Sequence, residues 1–495
     1  MRLTRPLAAL AVALGFPVLA QQPEARPVSL EECLQMALQK NLDVRISQYS
    51  PQVQALTVSS AGAYYEPSFT AGALQGYRKS EGTPGPGQVD PGSNESWNER
   101  FDTGVSGYAP IGMSYNLTGG VNRLSGTQKG VDAGFIYTPA VNLSVTQPLL
   151  KNLWIDLPRL TMQLERKNLM QTQADVRLQV IQTATDVANT YNDLIAAKES
   201  VRVQQKALEL AERLQVENKK RVEVGTMTQL ELDDAGAQVA RSKADLITAQ
   251  QQAAIAQNTL KKLVSDDFAS LVDVRFEPTA TLSAVPEGFN RLDSWHKGMT
   301  LRPDLERARL DLEKQKIQMR FSRNQLFPQL DLTGGYGLGG QDKTLTTSLD
   351  DIGAQRNPNF SGGIRLTIPL SNKKARNEYQ ASKLNNQKLL LQYKQKEQAA
   401  MVEIENAILN AQSALERVQA NEASRHYSDS VLWAEQKKLE NGKSTSYQVL
   451  LRQRDLTQAE ANAIQAKSDY NKALARLAQA EGFTLERFKL KLDIR

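Results

Sequence analysis

Between Pro158 and Pro278 there is no other proline, and only Gly225 and Gly236 interrupt a helix-forming composition. Val180, Val187, Leu194, Val201 and Leu208 recur every seven residues, with Ala184 and Tyr191 on the alternate seam positions, the heptad of a coiled coil. After Gly225 the seam tightens, and Leu232, Ala235, Val239, Ser242, Leu246, Ala249, Ala253, Ala256, Leu260 and Leu263 step by three and four. So many seam alanines let helix axes approach closely. The run before Gly225 predicts a helix about 100 Å long at about 1.5 Å per residue. Gly225 reads as the residue that ends it and Thr226 as the N-cap of the next helix. The pattern therefore predicts a helical hairpin over residues 153–264 with its tip at 225.

The same hairpin recurs. Gly442 is followed by Val449, Arg452, Leu456, Ala459, Ala463, Ala466, Tyr470, Ala473, Leu477 and Ala480, each 217 residues after its counterpart in the first seam. Ile404, Ile408, Ala411, Leu415 and Val418 mark the arm before it. Asp43 and Pro67 match Asp304 and Pro328 at an offset of 261, and Pro148 matches Pro369 at 221. These offsets describe an internal duplication with a longer insertion in the first copy.

Between the helical stretches the period changes to two. Phe69, Ala71, Ala73 and Tyr77 alternate with small or polar residues, as do Val141, Leu143 and Val145, then Leu330, Leu332, Tyr336 and Leu338, then Phe360, Ile364, Leu366, Ile368 and Leu370. Such segments predict strands of about ten residues with one apolar face. Residues 82–96 and 341–358, rich in Gly, Pro, Asn and Ser, read as loops. Residues 101–109 and 111–121 also alternate, which leaves room for an additional hairpin in the first half. A short helix over 30–39 and a second over 42–64 precede the first strands, and Pro51 should kink or split the second.

The chain opens with Arg2 and Arg5, the apolar run Leu7 to Leu19, and Val18-Leu19-Ala20 as a small-residue cleavage site, which predicts a secretory signal peptide over residues 1–20. No later stretch is apolar enough for a transmembrane helix, so membrane contact would have to come from strands. The net charge of +6 is spread as mixed signs along the helices, the pattern of a solvated face and not of a nucleic-acid site. The one cysteine, Cys33, reads as a packed helix residue and permits no internal disulfide. His296 and His426, the two histidines, lie in different halves without metal-ligand spacing. The glycine run 334–340 lacks the Lys-Ser/Thr of a phosphate loop. No cofactor and no enzyme activity are expected.

The order of these features resembles the TolC family of outer-membrane efflux proteins. It is carried by the signal peptide, the duplicated halves, the strands ending in Val145-Thr146-Gln147-Pro148-Leu149-Leu150 and Thr367-Ile368-Pro369-Leu370, and the tip turns Val224-Gly225-Thr226 and Asn441-Gly442-Lys443. The resemblance implies a mainly α fold with a β-barrel part. Long antiparallel coiled-coil hairpins would form a periplasmic α-barrel, and four strands per chain would complete a 12-stranded outer-membrane β-barrel in a homotrimer. The domain plan is then a signal peptide over 1–20, a first repeat over 21–264 with strands within 67–149, and an equatorial region over 265–302. A second repeat follows over 303–481, with a helix over 304–327, strands within 329–370 and a hairpin over 372–481, and then a tail over 482–495. The implied partners are outer-membrane lipid, a periplasmic adaptor (membrane fusion) protein and an inner-membrane transporter of RND, ABC or similar type, with no nucleic acid. Pro148 and Pro369 would mark the strand-to-helix junctions, and Gly225, Thr226, Gly442 and Lys443 the tips that meet the adaptor.

The resemblance further implies acidic rings at the tip, six and nine residues after the turn glycine. Those positions hold Glu231 and Asp234, beside Asp233, in the first half, but Gln448 and Leu451 in the second. Repeated by three-fold symmetry, the carboxylates would favour cations and repel one another. The same acids also suit the first turns of a helix, where its dipole favours negative charge. Against the duct stands a different class of protein, a soluble periplasmic coiled-coil adaptor or spacer.

Overall fold

The computed structural model describes residues 24–81, 93–128 and 131–490. The predicted signal peptide lies outside them, as do most of the predicted first loop and the last five residues of the tail. In chain order the elements are β1 (Glu24–Val28), α1 (Leu30–Lys40), α2 (Leu42–Gly62), β2 (Ser68–Glu81), β3 (Ser93–Tyr108), β4 (Ser114–Gln128), β5 (Val131–Pro148), α3 (Leu157–Glu223) and α4 (Gln229–Val264). The second half supplies β6 (Val274–Pro278), α5 (Arg291–Leu301), α6 (Pro303–Asn324), β7 (Gln329–Gly339), α7 (Leu345–Gly353), β8 (Pro358–Thr367), α8 (Lys373–Glu440), α9 (Ser446–Ala480) and α10 (Thr484–Arg487). The duplication is visible in the helices: α3 and α8 have 67 and 68 residues, and α4 and α9 have 36 and 35.

The chain divides into two compact units. The first takes the described parts of Met1–Arg45, Val180–Ser294 and Ile404–Lys491. The heptad residues close its core: Val180, Ala184, Val187, Tyr191 and Leu194 are buried, as are Ala235, Ser242, Leu246, Ala249 and Leu260. One cluster gathers Cys33, Leu34 and Ala37 of α1 with Val187, Tyr191 and Leu194 of α3, Leu260 and Val264 of α4, and Phe276 of β6. The Tyr191 hydroxyl donates to the Val28 carbonyl at 3.0 Å, so a buried polar group is satisfied and β1 is held to α3. Burial pushes the Cys33 thiol up to about 12. β1 and β6 form a two-stranded parallel sheet, Glu24 opposite Val274 and Val28 opposite Pro278. A second cluster packs Ala411, Ala414 and Val418 of α8 on Ala466, Tyr470 and Leu474 of α9.

The second unit takes the described parts of Ile46–Gln179 and Trp295–Glu403. Its sheet has six strands among the described residues, ordered β2-β3-β4-β5-β7-β8. All five neighbouring pairs are antiparallel. Beside it, α3 and α6 are joined by Lys167–Glu313 at 2.7 Å, Arg307–Asp175 at 2.8 Å and an Arg177–Glu306 pair.

Several expectations are corrected. The implied four strands per chain become six, because the weak alternation over residues 101–121 is a full hairpin, β3 with β4. The predicted loop 82–96 is shorter, since β3 starts at Ser93 and Glu95 pairs with Lys79. The loop 341–358 carries α7. Pro51 does not split α2, which is helical from Leu42 to Gly62, and the proline is buried.

Candidate functional site

Two places in the chain gather the sequence-predicted residues, the sheet of the second unit and the hairpin tips of the first. In the sheet, side chains alternate between faces along each strand and share a face across each pair. One rung runs through all six strands: Phe69, Val105, Leu117, Leu143, Tyr336 and Phe360 are successive partners. Every member is apolar or aromatic, and Phe69 and Phe360 are 71% and 75% exposed. The next rung on the same face reads Ala71, Thr103, Gly119, Val141, Leu338 and Pro358. Beyond it lie Ala73, Phe101, Val121 and Pro139, and on the other side Leu332 with Ile364 and Leu330 with Leu366.

Behind the two central apolar rungs the opposite face is polar and small. Its matching rung is Thr70, Gly104, Thr118, Asn142, Gly337 and Asn359, and the next is Ser68, Ser106, Asn116, Ser144, Gly335 and Ser361. Counted along the strands, the apolar rungs from Leu330 and Leu366 to Ala73 and Phe101 span about ten residues, which at about 3.4 Å each and a tilt of about 40° is roughly 25 Å of height. An outer-membrane barrel needs an apolar band of about that height. The band ends where charge appears on its face. Glu99 and Arg123 pair at 2.8 Å, Lys79 and Glu95 at 3.0 Å, and the Arg123 guanidinium stands 4.2 Å over the Phe135 ring. Tyr77 packs on Trp97 in the same zone with the rings tilted by 44°, and aromatic girdles of this kind flank membrane bands.

The strand-to-helix junctions follow the two predicted prolines. After Pro148 the chain turns through Asn152, and after Pro369 through Asn372, both with positive φ of 66° and 44°. The end of α6 latches both turns. Asn324 accepts from the Asn152 amide at 2.8 Å, Gln325 donates to the Asn152 side chain at 2.8 Å, and Asn372 donates to the Leu326 carbonyl at 3.0 Å. These asparagines were not among the predicted site residues; an Asn shortly after each junction proline was the signal, since Asn tolerates the left-handed region.

In the first unit, both tips are built alike. Gly225 and Gly442 have φ of +77° and +71°. Gly225 N donates to Val222 O and Thr226 N to Arg221 O; Gly442 N donates to Leu439 O and Lys443 N to Lys438 O. This is the Schellman ending of a helix, which only a left-handed residue can close. Thr226 is therefore not the N-cap predicted for the next helix: its N–H and hydroxyl both return to Arg221 O. The caps are Thr228 and Thr445, themselves 217 residues apart, a repeat that the seam positions alone did not expose.

The predicted tip acids stand at the start of α4. Glu231 is half-buried and accepts from the Thr228 backbone N and hydroxyl, each at 3.1 Å. Asp233 accepts from Gln229 at 3.0 Å. Asp234 is exposed and makes no hydrogen bond or ion pair among the described residues. In the second repeat Gln448 donates its backbone N to the Thr445 hydroxyl, and Leu451 is half-buried. The tips pack on each other through Leu214, Leu432, Val449 and Leu450.

No helix among the described residues is long and apolar enough to cross a membrane, and no group of three or more potential metal ligands occurs among them. The chain matches the sequence model of the family described as outer membrane efflux protein, over residues 114–265 and 299–482. It is 27% identical over 304 residues to the pyoverdine export outer membrane protein OpmQ of Pseudomonas aeruginosa, covering 60% of this chain and 59% of that protein's length. Among solved structures it resembles the CmeC outer membrane channel of Campylobacter jejuni, with a TM-score of 0.67 at 17% identity over 94% of this chain and 87% of that one. It also resembles the open state of the MtrE outer membrane channel of Neisseria gonorrhoeae, with a TM-score of 0.63 at 17% identity over 94% of this chain and 90% of that one.

Proposed function

The chain belongs to the outer membrane efflux protein family, and from that premise we propose that it is the exit duct of a tripartite efflux or type I secretion system. Three copies form the duct, with the six-stranded sheets in the outer membrane and the helical hairpins in the periplasm. An adaptor protein meets the tips around Gly225, Thr226, Gly442 and Lys443, and an inner-membrane transporter supplies the energy. The duct itself is passive, with no chemistry beyond a path and a gate.

The observation that supports this most is the apolar rung from Phe69 to Phe360 set against a polar rung on the other face. A soluble spacer gains nothing from an exposed apolar band of this size, whereas a barrel needs lipid on one side and water on the other. The stripe Leu42, Ile46, Tyr49, Val53 and Leu56 on α2, each more than half exposed, suits burial against a second copy. At the tips, Asp234 and Glu231, with Asp233 beside them, form the constriction: three-fold repetition places like charges close together, which favours cations and biases the tip to open.

Resistance to alkaline extraction from outer membranes, followed by single-channel recording in planar bilayers, tests this reading. Small cation-selective currents that grow in Glu231→Ala/Asp234→Ala are expected. Release by the alkaline wash with no channel activity would discard the duct and favour the soluble spacer.

A further inference from the structure

The β3–β4 hairpin is the feature that the domain plan did not require. A hairpin inserted between β2 and β5 has three places to go: into the lumen as a plug, out above the membrane, or into the barrel wall. The register decides among them. Val105 and Leu117 sit in the middle of the apolar rung, bonded on one side to β2 and on the other to β5. Phe101, Val105, Leu117 and Val121 share the apolar face, while Asn98, Arg100, Asp102, Asn116, Thr118 and Asn122 share the polar one. A plug would turn that apolar face towards water; a wall turns it towards lipid.

The sheet has two free edges, β2 and β8. Five antiparallel steps separate them, so β8 runs opposite to β2 and can pair with the β2 of a second copy without breaking the alternation. Every residue of β8 is exposed. An open edge within hydrocarbon leaves backbone N–H and C=O groups unpaired with no water to bond them, so both edges require partners. Six strands closed on themselves would make a ring only about 12 Å across, with no room for a lumen beside its side chains.

We propose that this chain pairs β8 of one copy with β2 of the next and closes a barrel of eighteen strands, in which the β3–β4 hairpin is wall. The inference rests on the trimeric duct proposed above. With strands about 4.8 Å apart and tilted by about 40°, eighteen strands give a barrel about 36 Å across, against about 24 Å for twelve. The outer mouth is then wide relative to cargo, and passage is limited at the periplasmic tip.

Single-particle imaging of the full-length protein in lipid nanodiscs tests this directly. A ring of eighteen strands is expected. A ring of twelve, with residues 93–128 inside the lumen or above the membrane, would overturn the eighteen-stranded wall while leaving the duct intact; a particle with no membrane ring would overturn both. An independent readout uses Leu117→Cys and Val121→Cys against Thr118→Cys and Asn122→Cys, probed with a charged maleimide in intact outer membranes. The first two should lose labelling because lipid covers them, and the last two should label. Labelling at all four positions would overturn the wall. Cys33, fully buried, is a silent background in folded protein.

Discussion

Ser446, the first residue of α9, donates its hydroxyl to the side-chain carbonyl of Asn218 near the end of α3, at 2.9 Å. Both residues are buried, and the bond ties one hairpin to the other beside Leu214, Leu432, Val449 and Leu450. Ser446→Ala leaves the Asn218 oxygen buried without its donor, which should cost about 1–3 kcal/mol. The chemical denaturation midpoint should fall accordingly, and adding Asn218→Ala should cost less than the two single changes summed. Strict additivity would mean that the two side chains contribute independently.

The acids of α4 separate by what each touches. Glu231→Ala removes the acceptor for the Thr228 backbone N and hydroxyl, so it should lower stability by about 0.5–2 kcal/mol, as lost caps do, in addition to any change in current. Asp234→Ala removes charge from an exposed side chain and should leave the melting temperature unchanged. Single-channel conductance of Asp234→Ala alone therefore tests the proposed gate without a folding effect. A current identical to the parent's would assign Asp234 to the solvated face of α4.

Gly225 and Gly442 have open space where a Cβ would be, and both are left-handed. Substitution by alanine is then a backbone cost alone, about 1–2 kcal/mol at each tip. Asparagine, which tolerates that conformation, should cost less at the same position. Thermal melts of Gly442→Ala against Gly442→Asn check the order; equal melting temperatures would show that neither substitution strains the turn.

Asp304 sits beside the Arg302 guanidinium at 2.9 Å, with Glu403 on the other side of the arginine at 2.7 Å. Burial raises the Asp304 carboxyl, but the hydrogen bonds and charge of Arg302 outweigh it and hold the group below its ordinary value. A folded-state value lowered in this way adds stability above the unfolded carboxylate range, and that stability is lost as pH falls through the folded value. The gap in stability between the parent and Arg302→Gln should therefore hold from about pH 7 to about pH 5 and narrow as pH falls below about 4. Denaturation curves across that range provide the check, and a gap that widened on acidification would reverse the assignment.

What the sequence determined by itself was everything governed by local spacing. The heptads from Val180 to Leu208 and from Leu232 to Leu263 specified helices and their buried faces, because a helix face is written in residues three and four apart. Gly225 and Gly442 specified the tips, because a left-handed residue has few alternatives to glycine. The repeat at 217 residues specified that the two hairpins would match, and α3 and α8 differ by a single residue in length.

Tertiary structure decided what depends on partners distant along the chain. The alternation at Phe101, Val105, Leu117 and Val121 was legible, but only pairing to β2 and β5 placed it inside the six-stranded sheet, since a strand is completed by its neighbours and not by its own order. The parallel pairing of β1 with β6 joins residues 250 apart, and no local pattern could state it. Thr228 rather than Thr226 caps α4 because the Thr226 hydroxyl, like its N–H, is turned back to the Arg221 carbonyl at the end of α3. Glu231 was singled out by the family resemblance, six residues after Gly225; its bonds to Thr228 appeared only once the turn had placed the threonine beside it.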